Sequence, residues 1–275
     1  MIKKILFAFA LVLMLGILLL VFFTYDGDDG NVDNDISGGD NAEKPFEPCM
    51  KLEFTSNGDG TCYVSGIGEC RHENVVIPSK SPGGDKVSGI GEHAFSGCSR
   101  TSIIIPDSVT SIGDYAFENC TNLTSITIGN GVTDIGKDAF RYCDSLKSVY
   151  ITNIAAWCGI SFNIDETNSS CYSNPLRYAK NLYLNGELVT ELVIPNSITS
   201  LGDYVFYACD SLTSVIIRNS VESIGDYAFE GCTSLTSVTI GNSVESIGDY
   251  AFEGCTSLGS VTIPDGVQEI GRAHV

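Results

Sequence analysis

Cysteine and histidine are the residue types in this chain whose spacing could support catalysis or metal binding. The 275-residue sequence contains 11 cysteines and 3 histidines. Cys70 and His72 could act as a nucleophile and its base. Together with Cys62 and His93 they could form a zinc site. However, the histidines are few and scattered, and no C-x-x-C, G-x-S-x-G, H-E-x-x-H or phosphate-binding motif occurs. The sequence therefore predicts no enzyme activity, no metal site and no cofactor.

Six of the cysteines recur at one position of a repeated phrase. The phrase SIGDYAFEGC runs from Ser223 to Cys232 and again from Ser246 to Cys255. Its Ile-Gly or Leu-Gly pairs are 22, 23, 66, 23, 23 and 23 residues apart, and a period near 23 is typical of a solenoid. Each cysteine is thus expected to be buried beside a phenylalanine. A row of disulfides or of bound metal ions along the repeats is the disfavoured alternative. The cysteines are Cys98, Cys120, Cys143, Cys209, Cys232 and Cys255.

One repeat unit indicates a short strand followed by an irregular return. Val238-Thr239-Ile240 alternates as a strand does, with two residues inward and one outward. Gly248 argues against a long helix in the return. Stacked coils would pair their strands in parallel and bury a continuous core. The predicted strand cores are Ile103 and Ile105, Ile126 and Ile128, Val149 and Ile151, Leu192 and Ile194, Val215 and Ile217, Val238 and Ile240, and Val261 and Ile263. The predicted buried column is Phe117, Phe140, Phe206, Phe229 and Phe252.

The unit resembles a known family. Its pattern L-x-x-V-x-I-P/G-x-x-V-x-x-I-G-x-x-A-F-x-x-C, as in LTSITIGNGVTDIGKDAFRYC, is similar to the BspA-like, Treponema-pallidum-type leucine-rich repeat from about Cys49 to Glu269. The resemblance implies a curved solenoid displayed on bacterial or protist surfaces, often linked to adhesion, without shared catalytic residues. We therefore predict a right-handed leucine-rich repeat solenoid of parallel β-strands with irregular returns.

The amino-terminal segment predicts a membrane anchor. Lys3 and Lys4 precede a run of 19 uncharged apolar residues, Ile5 to Phe23, which as a helix would span roughly 28 Å. Because no small-x-small cleavage site follows, residues 1–25 are expected to be a transmembrane helix, with a cleaved signal sequence as the alternative. The lysines place the amino terminus inside and the repeats outside. Residues 26–48, with eight acids and one lysine, are expected to be a disordered linker.

Three other segments depart from the simple repeat. Residues 49–88 are expected to form an amino-terminal cap with a hairpin around Asn57 to Gly60. The repeats of 89–151 and 192–269 flank an irregular segment, 152–191, in which an Asn185-Gly186 turn is expected to join the strands Leu182 to Leu184 and Leu192 to Ile194. The pairs Cys158 with Cys171 and Cys62 with Cys70 are open to either disulfides or free buried thiols.

The carboxy-terminal residues 270–275 break the repeat. The phrase begins at Ile270-Gly271 but continues as Arg-Ala-His-Val. A common sequencing adapter translates as Ile-Gly-Arg-Ala-His-Val followed by a stop. We therefore expect these residues to derive partly or wholly from adapter, and the natural protein to continue.

The net charge and the pattern of outward-facing residues limit which ligands the protein can bind. The net charge of −19 opposes binding to nucleic acid. Acids recurring at one position, Asp114, Asp203, Asp226 and Asp249, predict a solvated stripe.

The outward strand positions form an uncharged ladder, which is expected to bind an extracellular or host cell-surface protein, with Tyr150 and Tyr183 as anchors. The competing explanation is that strands favour β-branched residues at such positions. The ladder is Ile104, Thr127, Tyr150, Tyr183, Val193, Ile216, Thr239 and Thr262. The predicted function is a membrane-anchored extracellular binding or adhesion module; the alternative is a passive spacer displaying a missing carboxy-terminal domain, enzymatic or not.

Overall fold

The computed structural model describes residues 47–164 and 171–272. The expected membrane helix at Ile5 to Phe23, nearly all of the acidic linker and residues 273–275 lie outside the described residues. Within the two described ranges, no helix combines the length and the apolar character needed to cross a membrane.

The described chain consists of short strands and two short helices. The strands are β1 (Glu53–Ser56), β2 (Thr61–Gly66), β3 (Asn74–Val76), β4 (Lys86–Ile90), β5 (Ser102–Ile104), β6 (Ser111–Ile112), β7 (Ser125–Thr127), β8 (Asp134–Ile135), β9 (Ser148–Ile151), β10 (Ser161–Phe162), β11 (Leu182–Leu184), β12 (Glu187–Leu188), β13 (Glu191–Val193), β14 (Ser200–Leu201), β15 (Ser214–Ile216), β16 (Ser223–Ile224), β17 (Ser237–Thr239), β18 (Ser246–Ile247) and β19 (Glu269–Ile270). The helices are α1 (Ile154–Cys158) and α2 (Leu176–Ala179).

Successive coils place their strands side by side in parallel, as a β-solenoid requires. One set of strands forms the sheets β12-β11-β9-β7-β5-β3 and β13-β15-β17. A second set forms the sheets β1-β2-β4-β6-β8-β10 and β14-β16-β18-β19. The expectation of an irregular return was incomplete, because the two residues before the Gly of the phrase form a short strand of their own, as at Ser223–Ile224, Ser246–Ile247 and Asp134–Ile135. The second residue of this strand is buried, apart from the 56% exposed Ile270 of β19, and the backbone pairs with the neighbouring coil.

The predicted core positions align between coils and exclude solvent. Ile103, Ile126 and Val149 are register partners, and all three are fully buried. The prediction fails in part at Val261 and Ile263: neither lies in a strand, and Ile263 is 39% exposed, although Val261 still packs half-buried against the core. Gly259 stands where Thr236 stands one coil earlier, and the hydroxyl and amide of Thr236 both donate hydrogen bonds to Thr213 O. Glycine supplies no hydroxyl and weakens an extended segment.

The predicted phenylalanine column forms as two stacks, one ending at Phe140 and the other beginning at Phe206, because the irregular coil between them places Tyr172 beside Phe140. Phe117 stacks on Phe140 with ring centroids 5.1 Å apart, and Phe206 stacks on Phe229 at 5.3 Å. These four rings are fully buried. Phe252 stacks on Phe229 but is only half-buried, since no further coil of the described chain covers its other face. The six repeated cysteines are buried free thiols.

The irregular segment 152–191 carries both helices and a hairpin. Asn153 Oδ1 caps α1 by accepting the amides of Ala155 and Ala156. Trp157, which is 1% exposed, donates its indole N–H to Val205 O across the core. Asn185 and Gly186 form the expected turn with positive φ, but it joins β11 to β12. The expected connection to 192–194 was therefore wrong, because the chain reverses for only two residues before the repeats resume at β13.

The amino-terminal segment contains the expected hairpin, β1 antiparallel to β2, but a different disulfide from those considered. Cys70 pairs with Cys49, not with Cys62. Cys62, Cys158 and Cys171 are buried free thiols. Cys49, Cys62 and Cys70 are all buried, but Cys62 lies on β2, whereas Cys49 precedes β1 and Cys70 follows β2, so the hairpin brings Cys49 and Cys70 together.

Candidate functional site

A row of uncharged side chains follows the outward positions of five neighbouring strands. The parallel register pairs Val76 with Ile104, Ile104 with Thr127, Thr127 with Tyr150, and Tyr150 with Tyr183. The other outward position is also uncharged, with Asn74, Ser102, Ser125 and Ser148 on β3, β5, β7 and β9. These outward positions of the sheet, from Val76 to Tyr183, are called the uncharged face below.

Tyr150 and Tyr183 form an aromatic platform on the uncharged face. Their ring centroids are 4.8 Å apart with an interplanar angle of 27°. Register explains the stack, because paired residues on adjacent parallel strands lie about 4.8 Å apart. Both rings are half-buried, so each keeps part of its apolar surface in water. Such side chains offer a large contact area at low entropic cost together with a hydroxyl for hydrogen bonding.

The predicted eight-residue ladder is not continuous. Val193, Ile216 and Thr239 pair with one another on the separate sheet β13-β15-β17. The division arises because β12 pairs antiparallel with β11 and occupies the edge that β13 would need. Val193 and Ile216 are 41% and 44% exposed, and Glu191 adds a charge to this second row. Thr262 is exposed but lies outside any strand, for the same reason as Val261 and Ile263.

The sequence-based prediction missed two uncharged residues: one on the uncharged face and one beside it. Val76 begins the row, and Leu188, which is 43% exposed, is the register partner of Tyr183. The signal for Val76 was present, since the sequence from Val75 to Pro78, VVIP, repeats the apolar run and proline of IIIP at 103–106. Leu188 had no such signal, because its place depends on the hairpin turn.

Comparison with known proteins identifies the repeat. Residues 68–174 and 178–274 match the model of the BspA type leucine rich repeat region, in six copies. The chain belongs to the BspA-type leucine-rich repeat family. It is similar to a leucine-rich repeat protein of T. pallidum, with 26% identity, a TM-score of 0.51, and coverage of 78% of this chain and 92% of that one. It is also similar to one from Bacteroides ovatus, with 29% identity, a TM-score of 0.49, and coverage of 80% of this chain but 60% of that one. No curated protein matches this chain.

In this BspA-type chain the recurring aspartates bind backbone rather than forming a catalytic pair. Asp203 Oδ1 accepts the amide of Asp226 at 2.7 Å, and Asp226 Oδ1 accepts that of Asp249 at 2.6 Å. Asp114 Oδ1 accepts the amide of Lys137 in the same way. Burial raises the pKa of Asp203; the hydrogen bond from the Asp226 amide opposes this, and the charge of Asp226 adds a smaller rise. The predicted stripe is exposed or half-buried, and each of its four aspartates also accepts a backbone amide of the next coil.

The cysteine and histidine candidates do not form a reactive site. Cys49, Cys70 and His72 lie close together, but the two sulfur atoms are bonded to each other. Cys70 therefore offers neither a thiolate nucleophile nor a zinc ligand. His93 stacks on Tyr115 with centroids 5.0 Å apart instead of approaching Cys62.

One carboxyl group has a strongly altered affinity for protons. Burial, and then the charge of Glu253, raise the pKa of Glu230 to about 7, while Arg177 acts in the opposite direction. Arg177 is held by Tyr207, whose hydroxyl accepts from Nη1 at 2.8 Å, and by the ring of Tyr172, 4.4 Å from its guanidinium carbon. Glu230 lies outside the uncharged face, in the turn segment between β16 and β17.

Proposed function

We propose that this protein is a non-enzymatic, membrane-anchored extracellular module that binds a protein on a host or neighbouring cell through the uncharged face. The observation that carries the proposal is the Tyr150–Tyr183 stack, placed within an uncharged row on a chain of net charge −19. Protein-contact surfaces are depleted of charge at their centre and enriched in tyrosine. Membership of a leucine-rich repeat family supports a binding role at this general level.

The extracellular location is supported by the Cys49–Cys70 disulfide. Such bonds form and persist in oxidising compartments. The apolar run from Ile5 to Phe23 is long enough to hold the chain at a membrane, and Lys3 and Lys4 favour an inside position for the amino terminus.

A binding screen tests the proposal. The full chain, purified in mild detergent, is screened against extracellular-matrix and cell-surface proteins, and any ligand is tested again with the double variant Tyr150→Ala and Tyr183→Ala. Loss of affinity of about 2 kcal/mol or more, roughly thirtyfold, is expected if the stacked rings anchor the partner.

A second tyrosine stack in the same chain provides a matched control. Tyr227 and Tyr250 stack with centroids 5.1 Å apart, away from the uncharged face. The variant Tyr227→Ala with Tyr250→Ala should therefore retain full affinity. If only the control variant loses affinity, or if the Tyr150 and Tyr183 double variant still binds fully, the uncharged face is not the site. Absence of any ligand would favour the spacer function instead.

A further inference from the structure

The thiol of Cys98 has a different environment from most of the repeated cysteines. The Sγ atoms of Cys120 and Cys143 donate to Phe95 O and Phe117 O, each at 3.1 Å, so each bonds a phenylalanine carbonyl of the preceding coil. The thiols of Cys232 and Cys255 do the same with Phe206 O and Phe229 O at 3.2 Å. Phe95 is the first phenylalanine of the column. Cys98, in the same coil, instead has its Sγ 2.9 Å from the Sγ of Cys120.

The backbone around this pair is already spaced for a covalent link. Gly97 and Phe95 donate hydrogen bonds to Glu118 O and Ala116 O in the next coil, at 2.7 and 2.8 Å. These residues lie in turns, and the Phe95 and Phe117 rings beside them are 5.2 Å apart, close to the spacing of about 4.8 Å between adjacent parallel strands. Disulfides bridge Cα atoms about 4.4 to 6.8 Å apart, with an S–S bond of about 2.05 Å. Small rotations of the two side chains would thus bring the sulfur atoms into bonding distance.

We propose that Cys98 and Cys120 form a disulfide that fastens the first repeated coil to the second as the chain folds. The Cys49–Cys70 bond, one coil upstream, independently indicates that the chain folds where thiols are oxidised. The new bond would close a loop between positions 22 residues apart and add a second covalent tie at the amino-terminal end of the solenoid.

The burial of the two thiols indicates when the Cys98–Cys120 bond would form. Cys98 is 9% exposed and Cys120 is fully buried in the folded chain. Their mutual hydrogen bond and burial raise the pKa of the Cys98 thiol, so the reactive thiolate is scarce once the coils have closed. We therefore expect the bond to form during folding, before the coils close.

The oxidant is a small-molecule disulfide such as oxidised glutathione. The Cys98 thiolate attacks one sulfur of the oxidant, forms a mixed disulfide and releases one thiolate. The Cys120 thiolate then attacks the Cys98 sulfur and releases the second thiolate. The two cysteines lose two electrons and two protons, and the oxidant is reduced to two thiols.

Peptide mapping tests the proposal directly. The full chain is reduced, unfolded, and refolded in detergent with reduced and oxidised glutathione; free thiols are then alkylated and the chain is digested with trypsin. Cleavage after Lys86, Arg100, Lys137 and Arg141 puts Cys98, Cys120 and Cys143 on three separate peptides. The expected result is a linked peptide pair containing Cys98 and Cys120, which accounts for most of the Cys98 signal.

Two other cysteine pairs serve as controls in the same sample. Formation of the Cys49–Cys70 link shows that the mixture is oxidising. Cys232 and Cys255 occupy the same positions in adjacent coils, but each donates only to a phenylalanine carbonyl and no sulfur–sulfur hydrogen bond joins them, so both should be alkylated. The proposal is wrong if Cys98 and Cys120 are alkylated as fully as this pair, or if Cys120 is linked to Cys143 instead. The variant Cys143→Ser should leave the Cys98–Cys120 link unchanged.

Discussion

The carboxylate of Asp226 occupies the space that a side chain at Gly248 would need. Asp226 Oδ1 accepts the amide of Asp249, and a β-carbon built on Gly248 would overlap this oxygen and the Asp226 backbone. Asp203 and Gly225 stand in the same relation one coil earlier. The Gly-Asp step of the repeated phrase is thus a contact between coils: the aspartate carboxylate and the backbone beside it leave no room for a β-carbon on the glycine of the next coil.

Replacing Gly248 with alanine should therefore destabilise the solenoid by about 1 to 3 kcal/mol through overpacking. The free energy of unfolding can be measured by urea titration of the full chain in detergent, with fluorescence of the single tryptophan, Trp157, as the reporter. Gly83→Ala is the control, because a β-carbon there meets only an ordinary contact with Ser81. Adding Asp226→Ala to Gly248→Ala should cost less than the sum of the two single changes; strict additivity would contradict the contact.

The Gly-Asp contact also shows what the sequence could and could not predict. Recurrence at a 23-residue period predicted the strand register, because copies that stack must align like residues. It could not assign roles to Asp226 and Gly248, since their contact forms only between coils. The Cys49 pairing and the second strand of the hairpin, at Leu188, were missed for a related reason: both belong to segments without a repeat, where the partner depends on the local path of the backbone.

The phenylalanine column should respond to truncation according to burial. Phe229→Ala removes a fully buried ring packed between Phe206 and Phe252, and should cost about 3 to 5 kcal/mol of unfolding free energy. Phe252→Ala removes a half-buried ring and should cost about 1 to 2 kcal/mol. The same urea titration compares them. Equal costs would show that the column does not set the stability of the coils.

Restoring threonine at Gly259 should stabilise the chain. In the preceding coils, Thr213 and Thr236 each donate a hydroxyl to the backbone of the coil before, at 2.9 Å. Gly259→Thr is expected to add this bond to Thr236 O and to favour an extended backbone, together worth about 1 kcal/mol. Gly259→Val, which has a similar shape without the hydroxyl, should give less than the threonine variant. An unchanged or lower urea midpoint for Gly259→Thr would contradict the explanation for the missing strand.

The proposed topology predicts which part of the chain a protease reaches. If Ile5 to Phe23 anchors the chain with the repeats outside, protease added to intact cells should remove the repeats and leave a short membrane stub. A cytoplasmic protein must stay intact in the same sample as the control for cell integrity. Protection of the repeats would contradict the orientation, and recovery of a released chain beginning near Thr24 would favour signal cleavage.

Glu230 should make stability depend on pH near neutrality. Its pKa is raised from 4.5 to about 7 in the folded chain, first by burial and then by Glu253, with Arg177 opposing. The folded state therefore holds this proton more tightly than the unfolded state does, so stability falls as the pH rises through this range. In Glu230→Gln no charge forms, and the fall in urea midpoint between about pH 5 and pH 8 should become smaller. Glu222→Gln removes the same charge from an exposed position and corrects for the general repulsion in this acidic chain. If both variants flatten the pH profile equally, the half-buried position of Glu230 is not the cause.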